Sequence, residues 1–315
     1  MTRAFVTGIG GQDGGYLAVQ LVAEGVEVHG LAHEAEPARE PPEIELHPGD
    51  LARFDDVRRL VLDLAPDEIY NLAAVSSVAR SWEEPELTHA VNGEAAVRLL
   101  RVARELQERG GRSVRFVQAS SAEIFGEPDR SPQDESTPLR PVNPYGTAKA
   151  HAHAAVGRAR REGLHASAAI LYNHESPRRP PHFVTRKIAT TVAAIARGED
   201  RRLVLGNLDV RRDWGWAPEY VDAMVRAARA DIPNDYVIAT GVSHSVSDFV
   251  AAAFAHVGIR DWEGLVDVDA ALVRPVDAAE LVGDHSKARE VLGWTPRVRF
   301  EEVVTLMVDA ELSTH

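Results

Sequence analysis

Four side chains near the middle of the chain have types and spacings that suit proton transfer: Ser121, Glu123, Tyr145 and Lys149. Tyr145 and Lys149 are four apart in an Ala-rich stretch that follows Pro141 and Pro144. A helix opening near Tyr145 therefore carries both on one face. An ammonium beside a phenol stabilises the phenolate and lowers its pKa, and such a tyrosine serves as a base near neutral pH. The same pair occurs by chance on many helices, so its meaning depends on its surroundings. Val114 to Ala119 is a short apolar run ending in small polar residues, which reads as a buried parallel strand. Ser120, Ser121 and Glu123 then lie just past its C-terminal end, where open parallel sheets bind ligands.

The elements needed to support such a site begin at the N-terminus. Arg3 to Thr7 reads as a strand, Tyr16 to Glu24 has helical spacing, and Val26 to Leu31 reads as a second strand. Between the first strand and the helix lie Gly8, Gly11 and Gly14, spaced three apart. A strand, a glycine loop and a helix in that order are the context of a dinucleotide fingerprint: the glycines permit a tight turn and close approach of a pyrophosphate to the helix N-terminus. Gln12 and Asp13 sit inside that loop and belong to the same candidate cofactor site. Asp50, with Leu51 beside it, is a candidate acceptor for an adenine amino group. Leu72, Ala73, Ala74 and Ser76 follow a strand at Glu68 to Leu72, and their small side chains let a cofactor lie close. At the end of the second strand an acidic residue would bind a ribose 2′-hydroxyl and an arginine a 2′-phosphate; the chain has His33 and Glu34, and the choice between NAD and NADP stays open at this point.

Hydrophobic residues make up 44% and charged residues 26% of 315 residues, the balance of a soluble globular protein with a substantial core. A net charge of −13 argues against nonspecific nucleic-acid or anionic-membrane binding. The sequence has no cysteine, which excludes disulfides and thiolate metal sites and fits a cytoplasmic protein; no metal is expected. No secretion signal or apolar run long enough to span a bilayer is read. Only Lys149, Lys187 and Lys287 interrupt the arginine bias, as positions where a point charge of tunable pKa is useful.

Further elements alternate between strand and helix: a short strand at Ile44 to Leu46, helices at Phe54 to Leu64 and Glu86 to Arg109, and a strand at Ala166 to Tyr172. The alternation implies right-handed βαβ units and one parallel sheet. Asn173 to Pro181 reads as polar and irregular, a helix runs from Phe183 to about Arg197, and Tyr236 to Ala239 reads as a strand. Arg178, Arg179, Lys187, Arg211, Arg212 and Arg274 concentrate positive charge in an acidic chain, as a diphosphate ligand would need.

These features resemble the extended short-chain dehydrogenase/reductases, and longer stretches resemble the GDP-mannose 4,6-dehydratases over nearly the whole chain. The matching segments are Gly10 to Leu17, Glu27-Val28-His29-Gly30, Glu68 to Leu72 and Gln118-Ala119-Ser120, then Asn173 to Arg179, Phe183 to Ile188, Leu205 to Asp209 and Arg212 to Gly215. The resemblance implies an α/β fold, a Rossmann-type doubly wound parallel sheet with a smaller C-terminal substrate domain. Residues 1–172, with parts of 208–240, would bind the dinucleotide; 173–207 and 241–315 would bind the sugar nucleotide.

By the same resemblance Tyr145 takes a proton from the sugar 4-hydroxyl, and Lys149 lowers its pKa and contacts the nicotinamide ribose. Ser121 stands where the family usually has threonine and would bond the 4-oxygen. Glu123 removes the C5 proton and delivers one to the departing 6-hydroxyl. His174 and Arg179 match cofactor contacts. Val184, Lys187, Arg212, Arg274 and Asp277 match positions around guanosine diphosphate, with Ser76, Asn173 and Gly206 at the substrate. The implied cofactor is NADP, with NAD possible because His33 and Glu34 replace the usual arginines. The implied partner is a GDP-sugar, and the implied assembly a homo-oligomer, dimer or tetramer. Val75 and Ser77 stand where the family usually has Gln and His, and the loop between Ile259 and Arg274 is shorter than usual. A nucleotide-sugar epimerase or reductase is the alternative on the same fold.

Overall fold

The computed structural model of the protein describes residues 1–33, 43–273 and 278–314. Numbered along the chain, its strands are β1 (Arg3–Thr7), β2 (Glu27–Ala32), β3 (Glu45–Pro48), β4 (Glu68–Asn71), β5 (Arg115–Ala119), β6 (His165–Leu171), β7 (Asn173–Glu175), β8 (Leu203–Leu205), β9 (Arg211–Trp216), β10 (Asp235–Ile238), β11 (Ser243–Ser245), β12 (Val266–Val268) and β13 (Glu280–Leu281). Seven of them form one sheet in the order β10-β6-β5-β4-β1-β2-β3, and every pairing in it is parallel. This is a Rossmann-type doubly wound sheet. Strand order reverses between β1 and β4, the switch point at whose carboxyl end such sheets open a ligand crevice.

The crossovers explain why these strands run parallel. The helices α1 (Gln12–Ala23), α2 (Phe54–Leu64), α3 (Val78–Glu83), α4 (Pro85–His89), α5 (Ala95–Gly110), α6 (Pro144–Arg161), α7 (Val184–Ala196), α8 (Ala217–Arg229), α9 (Val246–His256), α10 (Ser286–Leu292) and α11 (Phe300–Leu312) follow in order. One buried cluster joins Leu17 and Leu21 of α1 to Met224 and Ala228 of α8 on one face of the sheet. Another joins Val57 and Val61 of α2 to Leu99 and Leu106 of α5 on the other. With both faces covered, strands such as β4 and β6 are buried almost throughout.

Three readings of the sequence are corrected. The single helix expected over Glu86 to Arg109 is α4, a π-helical stretch over Ala90–Glu94, and α5. Asn92 lies in that stretch; its amide accepts from Val75 N at 2.8 Å and donates to Val75 O at 3.1 Å, which pins the loop after β4. Asn173 to Pro181 is not irregular throughout, because β7 pairs in parallel with β9 through His174 and Gly215. Three polar residues carry no periodicity, and their partner strand is distant in sequence. Third, Arg211 does not join a cluster of cations at the ligand. Its guanidinium turns to Glu280 at 3.5 Å and Asp248 at 3.6 Å.

A smaller layer packs beyond the sheet's carboxyl edge. There β9 is flanked by β7, β11 and β13, while Ile188, Val192, Phe249, Val304 and Met307 bury Trp214 between α7, α9 and α11. Asp213 ties this layer to the main sheet: its carboxylate accepts from Thr240 N at 2.8 Å, Thr240 Oγ1 at 2.7 Å and Gly241 N at 2.8 Å, just after β10. Among the described residues no helix is long and apolar enough to cross a membrane.

Candidate active site

A row of buried side-chain bonds fixes the carboxyl ends of the strands. Thr7 Oγ1 donates to Asn71 Oδ1 at 2.7 Å and accepts from Leu72 N and Ala73 N, each at 3.1 Å. Asn71 Nδ2 donates to Gln118 Oε1 at 2.8 Å, and Gln118 Nε2 to Ala119 O at 3.0 Å. Lys149 Nζ donates to that same carbonyl at 2.8 Å, which anchors α6 to the end of β5. Above this row opens a cleft of about 700 Å³ between the strand ends and the outer layer, within the range of small-molecule sites.

Ser121, Glu123, Tyr145 and Lys149 all line it. Ser121 caps a one-turn helix, accepting from Glu123 N at 3.2 Å, and its hydroxyl also bonds the Tyr145 phenol. Asn143, which the sequence reading did not single out, governs the other half. Its Oδ1 accepts from Gly146 N at 2.7 Å and caps α6, with Pro144 at the first helical position. Its Nδ2 donates to Glu123 Oε2 at 2.8 Å. One amide thus sets both the start of the tyrosine helix and the orientation of the glutamate. An Asn directly before a Pro at a helix start was the available signal. The two segments approach so closely that a Cβ on Gly146 would lie 2.5 Å from Glu123 O.

Burial dominates the electrostatics. It pushes the Tyr145 phenol up to about 12; the Ser121 hydrogen bond opposes this and the Glu123 charge adds to it. Burial draws Lys149 down to about 8, against the pull of Asp13. The Lys149 ammonium lies 5.7 Å from the centre of the Tyr145 ring. The groups that lower the phenol are Ser121 and Arg179, and burial outweighs them in the protein alone.

The glycine loop is stapled to the strand opposite. Gln12 turns its side chain from the cleft to His174 O at 3.0 Å and accepts from Ser176 Oγ at 2.9 Å. Asp13 Oδ2 meets His174 Nε2 at 2.9 Å, and His174 Nδ1 meets Tyr172 O at 2.7 Å. Burial raises the Asp13 carboxyl, but His174 holds it below its ordinary 3.8. Burial lowers the His174 imidazole, but Asp13 lifts it above its ordinary 6.5. The Asp13 contribution to stability is present above pH 3.8 and lost as pH falls through its folded value. The His174 contribution is present below pH 6.5 and lost as pH rises through its folded value. Replacing His174 by Ala removes the main partner of a largely buried carboxylate, which keeps only the Gln12 amide at 3.1 Å and the more distant charge of Arg179, and should cost about 3 kcal/mol. Urea unfolding of both proteins across pH should show the gap closing on the alkaline side; a gap that stays constant would remove the ion pair from the account.

The other candidate residues distribute along the cleft and past it. Leu72, Ala74, Ser76, Asn173, His174, Arg179, Val184, Lys187, Gly206 and Arg212 line it with Asp13. Arg179 pairs with buried Glu175 at 3.2 Å and stacks on Phe183 at 3.8 Å. Arg212 is buried and donates to Ala278 O at 2.8 Å. His182, Asn207 and Leu272 also line the cleft and were not among the candidates. Arg178 instead lies over the Tyr16 ring at 4.4 Å. Gly8, Gly11 and Gly14 form the turn after β1 at the switch point, and Ala73, just past β4, packs against Gly8. His33 is exposed at the end of β2, Leu51 is buried, and Asp50 accepts from Ala52 N at 2.8 Å. Arg274 and Asp277 lie outside the described residues.

A dinucleotide fits this arrangement. Gly8 has φ +70°, and a Cβ there would lie 2.8 Å from Ala73 N, so the turn is held tight against the end of β4. Gly11 begins α1 with no side chain capping its first amides, which leaves them for an anion. Ser120 Oγ is buried in the cleft wall without a hydrogen-bond partner.

Comparison with known proteins is consistent along the whole chain. A family model described as GDP-mannose 4,6 dehydratase matches residues 5–307. GDP-mannose 4,6 dehydratase 1 of Arabidopsis thaliana is 42% identical over 324 residues, covering 98% of this chain and 89% of that protein. The GDP-mannose 4,6 dehydratase of Homo sapiens is 41% identical over 340 residues, covering 98% and 91%. Among solved structures, the UDP-glucose 4-epimerase of Thermus thermophilus in complex with NAD superposes with a TM-score of 0.87 at 27% identity, each chain covered completely.

Proposed function

The chain belongs to the GDP-mannose 4,6-dehydratase family, and from that premise we propose that it converts GDP-mannose to GDP-4-keto-6-deoxymannose. It is a nucleotide-sugar dehydratase, a carbon–oxygen lyase that uses a nicotinamide dinucleotide. The observation that carries the reading is the carboxylate of Glu123 on the cleft wall with Ser121 and Tyr145, because dehydration needs an acid–base that epimerisation or reduction does not.

The pyrophosphate would rest on the Gly8–Gly14 turn and the first amides of α1, the adenosine beside Asp50 and Leu51, and the nicotinamide ribose against Tyr145 and Lys149. When bound, the nicotinamide supplies a hydride acceptor for C4 of the sugar and a hydride donor for C6. Tyr145 takes the proton of the 4-hydroxyl, and Ser121 donates to the 4-oxygen as its charge develops. The 4-ketone acidifies the C5 proton, which Glu123 removes. Glu123 then protonates the 6-hydroxyl as it leaves, and when hydride is added at C6 a proton from solvent returns to C5, which balances the one Tyr145 took from the 4-hydroxyl. Lys149, Arg179, Lys187 and Arg212 put positive charge on the cleft wall beside Asp13, Glu123 and Glu175, and Arg and Lys are the usual partners of a diphosphate.

NADP is the cofactor that family membership implies. His33 and Glu34, in place of two arginines, favour NAD as the second reading, and the ratio of KM values for the two dinucleotides separates them. Incubation with GDP-mannose and catalytic NAD or NADP should give a sugar nucleotide lighter by one water, with no net change in absorbance of the reduced cofactor. A C4-epimerised or reduced product of undiminished oxygen count would overturn the assignment.

Asn143 acts here as a positioning residue. Asn143→Ala frees Glu123 and uncaps α6, and should lower kcat by about 10-fold or more while KM changes little, since misplacement alone costs up to ~100-fold. Asn143→Asp keeps the helix cap but sets a carboxylate against Glu123; like charges raise a pKa, so the acidic limb of kcat should move to higher pH. An unmoved acidic limb in Asn143→Asp would leave the residue with the cap alone.

A further inference from the structure

On the edge of the main sheet, away from the cleft, β2 and β3 bring three side chains together: His29, Glu45 and His47. His29 stands opposite Glu45 in the parallel register, and the two-residue period puts His47 on the same face. Nδ1 of His29 lies 3.0 Å from Nε2 of His47, with the rings stacked at 5.2 Å. The two Glu45 oxygens divide between the rings: Oε2 lies 3.6 Å from His29 Nδ1 and Oε1 lies 3.7 Å from His47 Nε2. No other group of three such donors lies this close among the described residues.

The protons are arranged for metal binding. Glu27 Oε1 lies 3.0 Å from His29 Nε2, and Arg3 holds Glu27 at 3.0 Å. The carboxylate fixes the His29 proton on Nε2 and turns the Nδ1 lone pair toward His47. Donors about 2.0–2.1 Å from a tetrahedral zinc stand roughly 3.3–3.5 Å apart; the two imidazole nitrogens are 3.0 Å apart, and each has one oxygen of the Glu45 carboxylate at 3.6 or 3.7 Å. A carboxylate bonded to the far nitrogen of a histidine is the usual outer support of such a ligand.

We propose that His29 Nδ1, His47 Nε2 and the Glu45 carboxylate bind a divalent transition-metal ion of the zinc class, with water completing a tetrahedron. Two imidazoles and one carboxylate suit zinc, cobalt or nickel rather than magnesium or calcium. Glu45 is 67% exposed, which leaves room for the water. The absence of cysteine excludes a thiolate site and not this one. None of the three residues lines the cleft, so the ion fastens the edge strand β3 to β2 and takes no part in the reaction.

The test uses the full chain, stripped with a chelator and titrated with Co²⁺ alone. One equivalent should bind and give the intense visible bands of a tetrahedral centre; Zn²⁺ should displace it and raise the thermal midpoint. Glu45→Ala and His47→Gln should each abolish the bands, and Glu45→Ala alters an exposed side chain whose loss leaves folding intact. Glu27→Gln should weaken binding by roughly 10- to 100-fold. His151→Gln, in the exposed group His151–Glu94–His89, serves as control and should bind like the parent. Failure to bind one equivalent, or binding at parental strength in Glu45→Ala or His47→Gln, overturns the proposal and leaves two histidines sharing a hydrogen bond.

Discussion

Glu123→Gln should reduce kcat for dehydration by about 10²- to 10⁴-fold, the range lost with a general acid–base group, while KM for the sugar nucleotide changes little. Gln keeps the volume and can still bond Asn143, whose Nδ2 stands 2.8 Å from Glu123 Oε2, so the cleft should keep its shape. What disappears is the capacity to take a proton from C5 and give one to the departing 6-hydroxyl. Solvent deuterium should enter C5 but not C6 of the product made by the parent, because C6 receives the hydride that left C4, and exchange at C5 should stop in the variant. The same change would matter little to an epimerase, which moves only the hydride and the 4-hydroxyl proton. A variant that retains even a tenth of the parental kcat would exclude Glu123 as the acid–base, and with it the strongest local argument for dehydration.

How far this site was legible in the sequence depended on how local its determinants are. The β1–glycine turn–α1 order, the boundaries of α2, and the shared face of Tyr145 and Lys149 follow from short-range patterns and appear in the structure nearly as read. The seven-stranded parallel sheet followed from the alternation of elements. The misses are long-range. β7 is three polar residues made a strand only by β9, which itself has arginines where a periodic pattern would need apolar residues. The π-helical turn between α4 and α5 exists because Asn92 reaches back to Val75, a tertiary bond that helix propensity cannot show. Gln12 and Asp13 looked like members of a phosphate loop, yet their side chains also staple that loop to His174 and Ser176. Asn143 escaped notice because its cap is local but its bond to Glu123 is not. The rise of the Tyr145 pKa in the protein alone escaped notice for a similar reason: a neighbouring lysine is visible in sequence, whereas the burial that desolvates a partly exposed phenol is not.

That burial sets the second large expectation. Tyr145→Phe should lower kcat by about 10²- to 10⁴-fold, since the phenol oxygen is the group that accepts the 4-hydroxyl proton. In the protein alone the phenol sits at about 12 and the Lys149 ammonium at about 8, both displaced first by burial. The competent form needs the phenol ionised and the lysine charged. Below about 8 the ionised fraction of Tyr145 rises tenfold per pH unit while Lys149 stays charged, so log kcat/KM should climb with unit slope. Above that value the gain from Tyr145 and the loss from Lys149 cancel, and the profile should flatten well short of the tyrosine's own pKa. Lys149→Met should be much slower and should lose the break, because no second group then titrates. A profile that is level from neutral pH upward, or a break that survives in Lys149→Met, would show that ligand binding has already reset the phenol and that burial in the free protein does not control the base.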